Sequence, residues 1–268
     1  MSLTLPQMPL TLEGAALLHQ MFRISWGPWR TLDAATRSSL LAELNSSLSS
    51  MGSHSALFSI FGHKADFMLI HFRPDFPALS QAEWAIRQLG IWEYCQPTSS
   101  YLSVVELGLY EITGKVYGSL AAEGIEPHSE PWKNSIHDTL DRQRKAMAPR
   151  LFPEVPPAEF VCFYPMDRRR GEDKNWYSLP LEQRAALMHE HGLVGRRYAG
   201  EVRQIISGSI GLDDWEWGVD LFAEDPLVFK KLIYEMRFDP VSAIYAQFGP
   251  FYVGSRCNAG RLSHLLHS

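Results

Sequence analysis

The sequence predicts an α+β fold built from two ferredoxin-like units in tandem. Three observations lead there. An order of strand, helix, hairpin, helix and strand runs from residue 14 to 112; the same order returns from 158 to 254; and the two hairpins turn at matching places, Gly62 to Asp66 and Gly211 to Asp214. Two such units can set their antiparallel sheets face to face with the helices outside.

In the first unit the strands are GAALLHQMFRISW, the two arms of HSALFSIFGHKADFMLIHFR, and SYLSVVELGLYE; the helices are LDAATRSSLLAELNSSL and FPALSQAEWAIRQLGIW. The strand readings rest on β-branched and aromatic residues in partial alternation, and the helix readings on apolar residues three and four apart. In the second unit AEFVCFYPM is a strand, LEQRAALMHEH a helix, VRQIISGSIGLDDWEWGVDLFAED a hairpin, PLVFKKLIYEMRF a helix and GPFYVGSR the last strand. Between the units, residues 113–157 are rich in Gly, Pro and charge, and only SIHDTLDRQRKAMA has a helical pattern there. Connections of this length inside compact domains are usually functional lids or linkers. Residues 255–268 extend past the last expected strand and receive no role.

Composition excludes several function classes. With 268 residues there is ample material for a core, and a net charge of −5 argues against a nucleic-acid binder. Cys95, Cys162 and Cys257 form no CxxC pair, which argues against a disulfide framework or zinc site and points to a reducing cytoplasm. The N-terminal stretch lacks the basic leader and apolar core of a signal peptide, and no run reaches the roughly 18 apolar residues of a membrane span.

The chemistry-bearing residues gather in the second unit. In FYPMDRRR a strand ending at Tyr164 runs into Arg168, Arg169 and Arg170, which puts a phenol beside a cationic patch suited to carboxylates. In the helix that follows, Pro180 suits the first turn and Gly192 a C-terminal stop. At about 100° per residue His191 lies closer than His189 to the apolar stripe of Leu181, Ala185 and Met188. On this helix alone, a packed or capping histidine is the commoner reading and a metal or haem ligand the sharper one. His189-Glu190-His191 is no zinc motif, because residues two apart on a helix point to nearly opposite sides. His54, His63 and His71 have no ligand-type spacing and read as surface or sheet histidines.

Around these residues stand Tyr164-Pro165-Met166, Asn175-Trp176-Tyr177, Met188 through Gly192, Gly195-Arg196, Tyr198-Ala199-Gly200, Gln204-Ile205-Ile206, Asp213 through Gly218 and Tyr234 through Asp239. In this order and spacing they resemble the chlorite dismutase-like superfamily, and within it the coproheme decarboxylases of Gram-positive-type bacteria. The similarity is dense from about residue 150 to 254 and thinner, though collinear, before that.

The resemblance implies a fused dimeric α+β barrel, usually assembled as a homo-oligomeric ring of five chains. It implies iron coproporphyrin III (coproheme) as both substrate and redox centre, hydrogen peroxide as oxidant, haem b as product, and a transient contact with the coproporphyrin ferrochelatase. By the same resemblance His191 is the iron ligand and Tyr164 the catalytic phenol that relays oxidation as a radical. Arg150, Arg168 and Ser242 are propionate-binding positions, with Tyr164, Pro165, Met166 and Asp167 along the same edge. The chain departs from the decarboxylase pattern at Arg168, where lysine is common; a planar fork there replaces a point charge. Gln204 stands where true chlorite dismutases have arginine, which disfavours chlorite chemistry. Arg169, Arg170, Arg196 and Arg237 are read as salt-bridge or subunit-contact residues, and Trp176, Trp215 and Trp217 as core or interface aromatics. The alternatives are a haem-binding or carrier protein, a weak haem peroxidase of the same superfamily, and a protein of this fold that binds no haem.

Overall fold

A computed structural model describes residues 5–267. The first half comprises β1 (Thr11–Ile24), α1 (Trp26–Thr31), α2 (Ala34–Ser50), β2 (Ser55–Ile60), β3 (Phe67–Arg73), α3 (Phe76–Arg87) and β4 (Cys95–Gly108). Two helices, α4 (Tyr110–Ala122) and α5 (Glu130–Leu151), bridge to the second half. That half contains β5 (Phe160–Arg168), α6 (Leu181–Arg196), β6 (Arg203–Gly208), β7 (Trp217–Ala223), α7 (Leu227–Met236), α8 (Pro240–Tyr245), β8 (Ala246–Phe248), β9 (Tyr252–Arg256) and α9 (Ala259–His267).

The strands of the first half lie in the order β4-β1-β3-β2, and those of the second in β6-β7-β5-β9. Numbered within its own half and leaving out the short β8, the first sheet reads fourth, first, third, second, and the second sheet reads the same from its β9 end, so the predicted duplication is a duplication of topology. Two seams close the sheets into one barrel: β4 pairs with β6 at Val104↔Gly208 and Val105↔Ser207, and β2 pairs with β9 from Phe58↔Arg256 to Ile60↔Gly254. A glycine sits at each seam, and a side chain there would be blocked by backbone at Gly254 and would have to displace the Glu106 side chain at Gly208. A Cβ on Gly208 would stand 2.2 Å from Glu106 Oε2, and one on Gly254 would stand 2.4 Å from the Ser59 carbonyl oxygen. The matching hairpins both turn through a positive-φ glycine, Gly62 at 85° and Gly211 at 81°, where a side chain would be strained.

Alternation along each strand splits the core in two. One face fills the barrel interior with Leu17, Met21, Phe58, Met68, Ile70, Phe72, Val161, Phe163 and Phe222. Among them is a histidine–aspartate pair that the sequence reading passed over. His19 Nε2 lies 2.8 Å from Asp220 Oδ1, both fully buried, with the imidazole stacked on Phe163 at 3.8 Å. His71, in β3, is buried as well; burial first, then Arg73 and His19, pushes its pKa from 6.5 down to about 3, and its Nδ1 is 2.7 Å from Ser55 Oγ. It is a neutral sheet histidine, while His54 and His63 lie on the surface.

Two segments differ from expectation. The connection 113–157 is mostly helical. Thr113, Tyr117 and Leu120 give α4 a buried stripe at helical spacing, which Gly114 and Gly118 obscured by lowering the local propensity. Helix α5 begins at Glu130, earlier than its charge pattern suggested, because Ser129 Oγ accepts from Trp132 N–H and Pro131 suits the first turn. The tail, given no role, forms α9. Leu262 and Leu266 join Trp29, Leu41 and Leu44 in the core beneath α2, and Trp29 Nε1 donates to the Leu266 carbonyl at 2.8 Å. Residues 1–4 and Ser268 lie outside the described residues. Among the described residues no helix is long and apolar enough to cross a membrane.

Leu266 is 1% exposed. Leu266→Ala should therefore cost about 2–5 kcal/mol, as large-to-small core changes do. Urea denaturation checks this, and a change within error would show that the tail is not part of the core.

Candidate functional site

The helix-facing side of the second sheet does not close on its helices. It leaves a cavity of about 1080 Å³ between β5, β6 and β7 on one wall and α6 on the other, ended by β4, α4 and α5. Such a volume is at the top of the usual range for ligand pockets, roughly 300–1,000 Å³. Along β5 the two-residue period sends Tyr164, Met166 and Arg168 into the cavity. Pro165 and Asp167 do not line it. Pro165 packs toward Gly249, and Asp167 Oδ1 accepts from Glu216 N–H at 2.8 Å. Glu216 returns the contact by accepting from Arg168 N–H at 2.8 Å and also takes the Tyr177 hydroxyl at 2.8 Å. Asp167 thus braces the strand that carries Arg168.

Helix α6 presents Arg184, Met188, His191 and Gly192 to the cavity, positions three and four apart on one face. It does not stop at Gly192. It continues to Arg196, and Gly195 serves close packing against α7, since a Cβ there would stand 3.4 Å from Met236 Cε. His189 is exposed, as its place off the stripe requires. His191 Nδ1 is 3.1 Å from Asp239 Oδ2, and Asp239 Oδ1 caps α8 by accepting from Val241 N–H at 2.9 Å and Ser242 N–H at 3.2 Å. A carboxylate on one ring nitrogen fixes the tautomer and leaves the other as the ligand atom. Burial raises the Asp239 pKa, but the His191 contact and the α8 amides outweigh it, so the carboxyl sits below its ordinary 3.8. The sequence reading missed Asp239, although Asp-Pro at 239–240 is an N-cap followed by a first-turn proline. Gln204 lines the sheet wall, and its Oε1 comes within 3.8 Å of where a Cβ on Gly195 would be.

The cavity is strongly cationic. Among the described residues, Arg150, Arg168, Arg184, Arg196, Arg203 and Arg237 line it against a single carboxylate, Glu106. Burial, with Glu13 close by, raises the Glu106 pKa, and a Trp217 hydrogen bond offsets part of that. Arg168 lies over Trp176 at 4.8 Å and Trp217 at 5.9 Å, and Arg237 over Phe248 at 3.6 Å. Arg196 and Arg237 are therefore cavity residues and not only salt-bridge formers. Trp176 and Trp217 are cavity walls as well as core, while Arg170 does pair, with Glu216 at 3.5 Å. Arg150, at the end of α5, and Ser242, in α8, complete the rim. Tyr164 is 4% exposed, between Phe251, stacked at 4.5 Å, and Phe248 at 5.8 Å. Burial holds its phenol well above the ordinary tyrosine range, so it is protonated at any working pH.

Among the described residues no group of three or more His, Cys, Asp and Glu could hold a bare metal ion. A porphyrin brings four nitrogens of its own and asks the protein for an axial ligand, apolar walls and cations for its carboxylates. His191 backed by Asp239, the flanking Met, Ile and Trp side chains, and the arginines supply these.

Fold and site together define an α+β barrel with a cation-lined cavity and a histidine oriented by a carboxylate. The profile of the chlorite dismutase family matches residues 37–257. A coproheme decarboxylase from Staphylococcus saprophyticus is 43% identical over 258 residues, covering 93% of this chain and 94% of that one. The structure of a haem-binding protein from Thermus thermophilus superposes with a TM-score of 0.82 at 38% identity, covering 98% and 99% of the two chains. A mutant chlorite dismutase from Candidatus Nitrospira defluvii, with a TM-score of 0.70, 17% identity and 96% of each chain covered, shares the fold. The chain belongs to the chlorite dismutase family.

The Asp239–His191 contact is open to test with Asp239→Asn. Asparagine also caps helices well, so the chain should stay folded, with a melting temperature lowered at neutral pH by the lost carboxylate, while affinity for an iron porphyrin falls about 10–100-fold. The native Asp239 carboxyl is the stronger acid in the folded chain, so its contribution to stability is complete above the unfolded pKa and is lost as pH falls through the lower folded value. The variant should lack that acid-side loss. Equal affinity in the two proteins would show that the carboxylate does not orient the ligand.

Proposed function

We infer that this chain is a coproheme decarboxylase, which converts iron coproporphyrin III to haem b with hydrogen peroxide by oxidative removal of two propionate carboxyls. The observation that carries the reading is a cavity holding an oriented histidine, a buried phenol and six arginines in a chain whose relative of 43% identity is a coproheme decarboxylase. Each turnover consumes one peroxide: a propionate side chain becomes a vinyl group, carbon dioxide leaves, and two waters form.

Iron in the bound substrate, with peroxide, supplies the oxidising equivalents, and the protein does the rest. His191 holds the ring by its iron and Asp239 holds His191. Arg150, Arg168 and Ser242 engage propionates and set the ring's rotation. Tyr164 would serve as the relay. Its phenol would give up an electron and a proton together to the iron–peroxide oxidant and recover a hydrogen atom from the propionate CH2; the second oxidising equivalent of the peroxide would then take one electron from that carbon radical, releasing carbon dioxide and leaving the vinyl group. Gln204 keeps the sheet wall polar without adding a charge. The reading also carries a cytoplasmic ring of five chains, which sedimentation of the full chain measures, and a transient handover of coproheme from the ferrochelatase that makes it.

The deciding experiment adds iron coproporphyrin III, titrates hydrogen peroxide and follows products by mass spectrometry. Two successive losses of carbon dioxide plus two hydrogens, ending at haem b, are expected. Tight binding with no mass change would leave a haem-binding protein. Tyr164→Phe should bind coproheme normally and yield no haem b, and turnover in that variant would remove the relay. His191→Ala should change the absorption spectrum of the bound iron; an unaltered spectrum would place the ligand elsewhere.

A further inference from the structure

We propose that Arg184 forms a carboxylate subsite at the N-terminal end of α6, held in place by the segment that precedes β1, and that it binds one propionate of the substrate. The inference rests on the decarboxylase reading for the identity of the anion. The site itself rests on an arginine whose own partners do not satisfy it.

Arg184 is 4% exposed and lines the cavity. A guanidinium carries five N–H donors and stays charged, so its burial is costly unless those donors are met. Here Nη2 donates to the Gln7 carbonyl, Nε has no partner, and no carboxylate of the described residues pairs with the side chain. A single neutral carbonyl does not balance a buried positive charge. The partner we assign is an anion in the cavity that the side chain lines.

The surroundings show how the group is aimed. Helix α6 has Pro180 at its N-cap and no side-chain cap of its own. Gln7 supplies one, its Oε1 accepting from Leu181 N–H at 3.0 Å, while its backbone carbonyl takes Arg184. Gln7, Met8 and Pro9 themselves line the cavity, so the N-terminal segment is a wall that caps the helix and fixes the guanidinium at once. Arg184 precedes His191 by seven residues, two turns and about 10 Å along the same helix face. An iron porphyrin held by His191 would carry its carboxylates at its periphery, away from the iron, and Arg184 lines the cavity two turns from His191.

The test uses the full chain without peroxide. Iron coproporphyrin III and its tetramethyl ester, which has the same shape and no carboxylates, are titrated by absorbance into the native protein, Arg184→Met and Arg184→Lys, with melting temperature measured in parallel. The methionine variant should bind the tetra-acid at least tenfold more weakly and the ester unchanged, with lysine recovering part of the loss as a point charge without the fork. Should the methionine protein melt before titration, Arg184→Gln keeps donors without charge and is read the same way. Equal weakening for acid and ester, or no weakening with a lowered melting temperature, would make Arg184 only an anchor for Gln7 and overturn the assignment. Because binding is read without turnover, a native protein that binds coproheme and never decarboxylates it sinks the catalytic reading while leaving the subsite intact.

Discussion

Closure of the barrel is the constraint on which the site depends. Once β4 meets β6 and β2 meets β9, the strands of the second sheet bury one face against the first sheet and have only the other left for chemistry. Side chains alternate along a strand, so neighbours in sequence acquire unrelated duties. Phe163 stacks on His19 inside the barrel while Tyr164 faces the cavity, and Asp220 pairs with His19 while Val219 lines the cavity wall. A slip of one residue in register would exchange the two sets, placing a phenol in the inter-sheet core and the His19–Asp220 pair in the ligand site. That buried pair ties β1 of one unit to β7 of the other and forms only in one register.

Charge is arranged on the same principle of segregation. The chain as a whole carries −5, yet the cavity gathers six arginines and one carboxylate among the described residues. Like charges this close repel in the absence of a ligand. Part of the compensation comes from aromatic faces, Trp176 and Trp217 under Arg168 and Phe248 under Arg237. Arginine suits this better than lysine. Burial lowers the Arg168 pKa, but a guanidinium starts so far above neutral that it keeps its charge in proteins. A buried lysine starts lower and sheds its proton more readily. The same guanidinium has a flat face for indole and a fork for carboxylate, so arginine where lysine is common keeps both contacts.

Much of this was legible in the sequence because it is written in short-range pattern. The two units, their hairpin glycines and the inward bias of His191 follow from periods of 2 and 3.6 residues. Tyr164, Met166, Arg168, His191, Gln204, Ser242 and Arg150 all reach one cavity. The partners escaped for a different reason. Asp239 is 48 residues from His191 and Asp220 is 201 from His19, and no local pattern links them. Pro165 and Asp167 came from the resemblance, and the side-chain alternation of β5 leaves them out of the cavity lining. Helix α4 was hidden by two glycines, and α9 is short and depends on packing beneath α2 for its stability.

In the role proposed for Tyr164, burial and reactivity go together. A phenol in water can lose its proton alone near pH 10, after which electron loss is easy and unselective. In a pocket walled by Phe248 and Phe251 the phenolate is too costly, so the only inexpensive oxidation removes electron and proton together. What forms is neutral, and a neutral radical needs no counter-charge in an apolar site. Arg168 and Arg237 act on this phenol in the opposite sense, favouring the anion, but less strongly than burial disfavours it. The cations can therefore draw the propionates toward Tyr164 without ionising it. Substrate capture and hydrogen-atom transfer can then share one wall of the cavity.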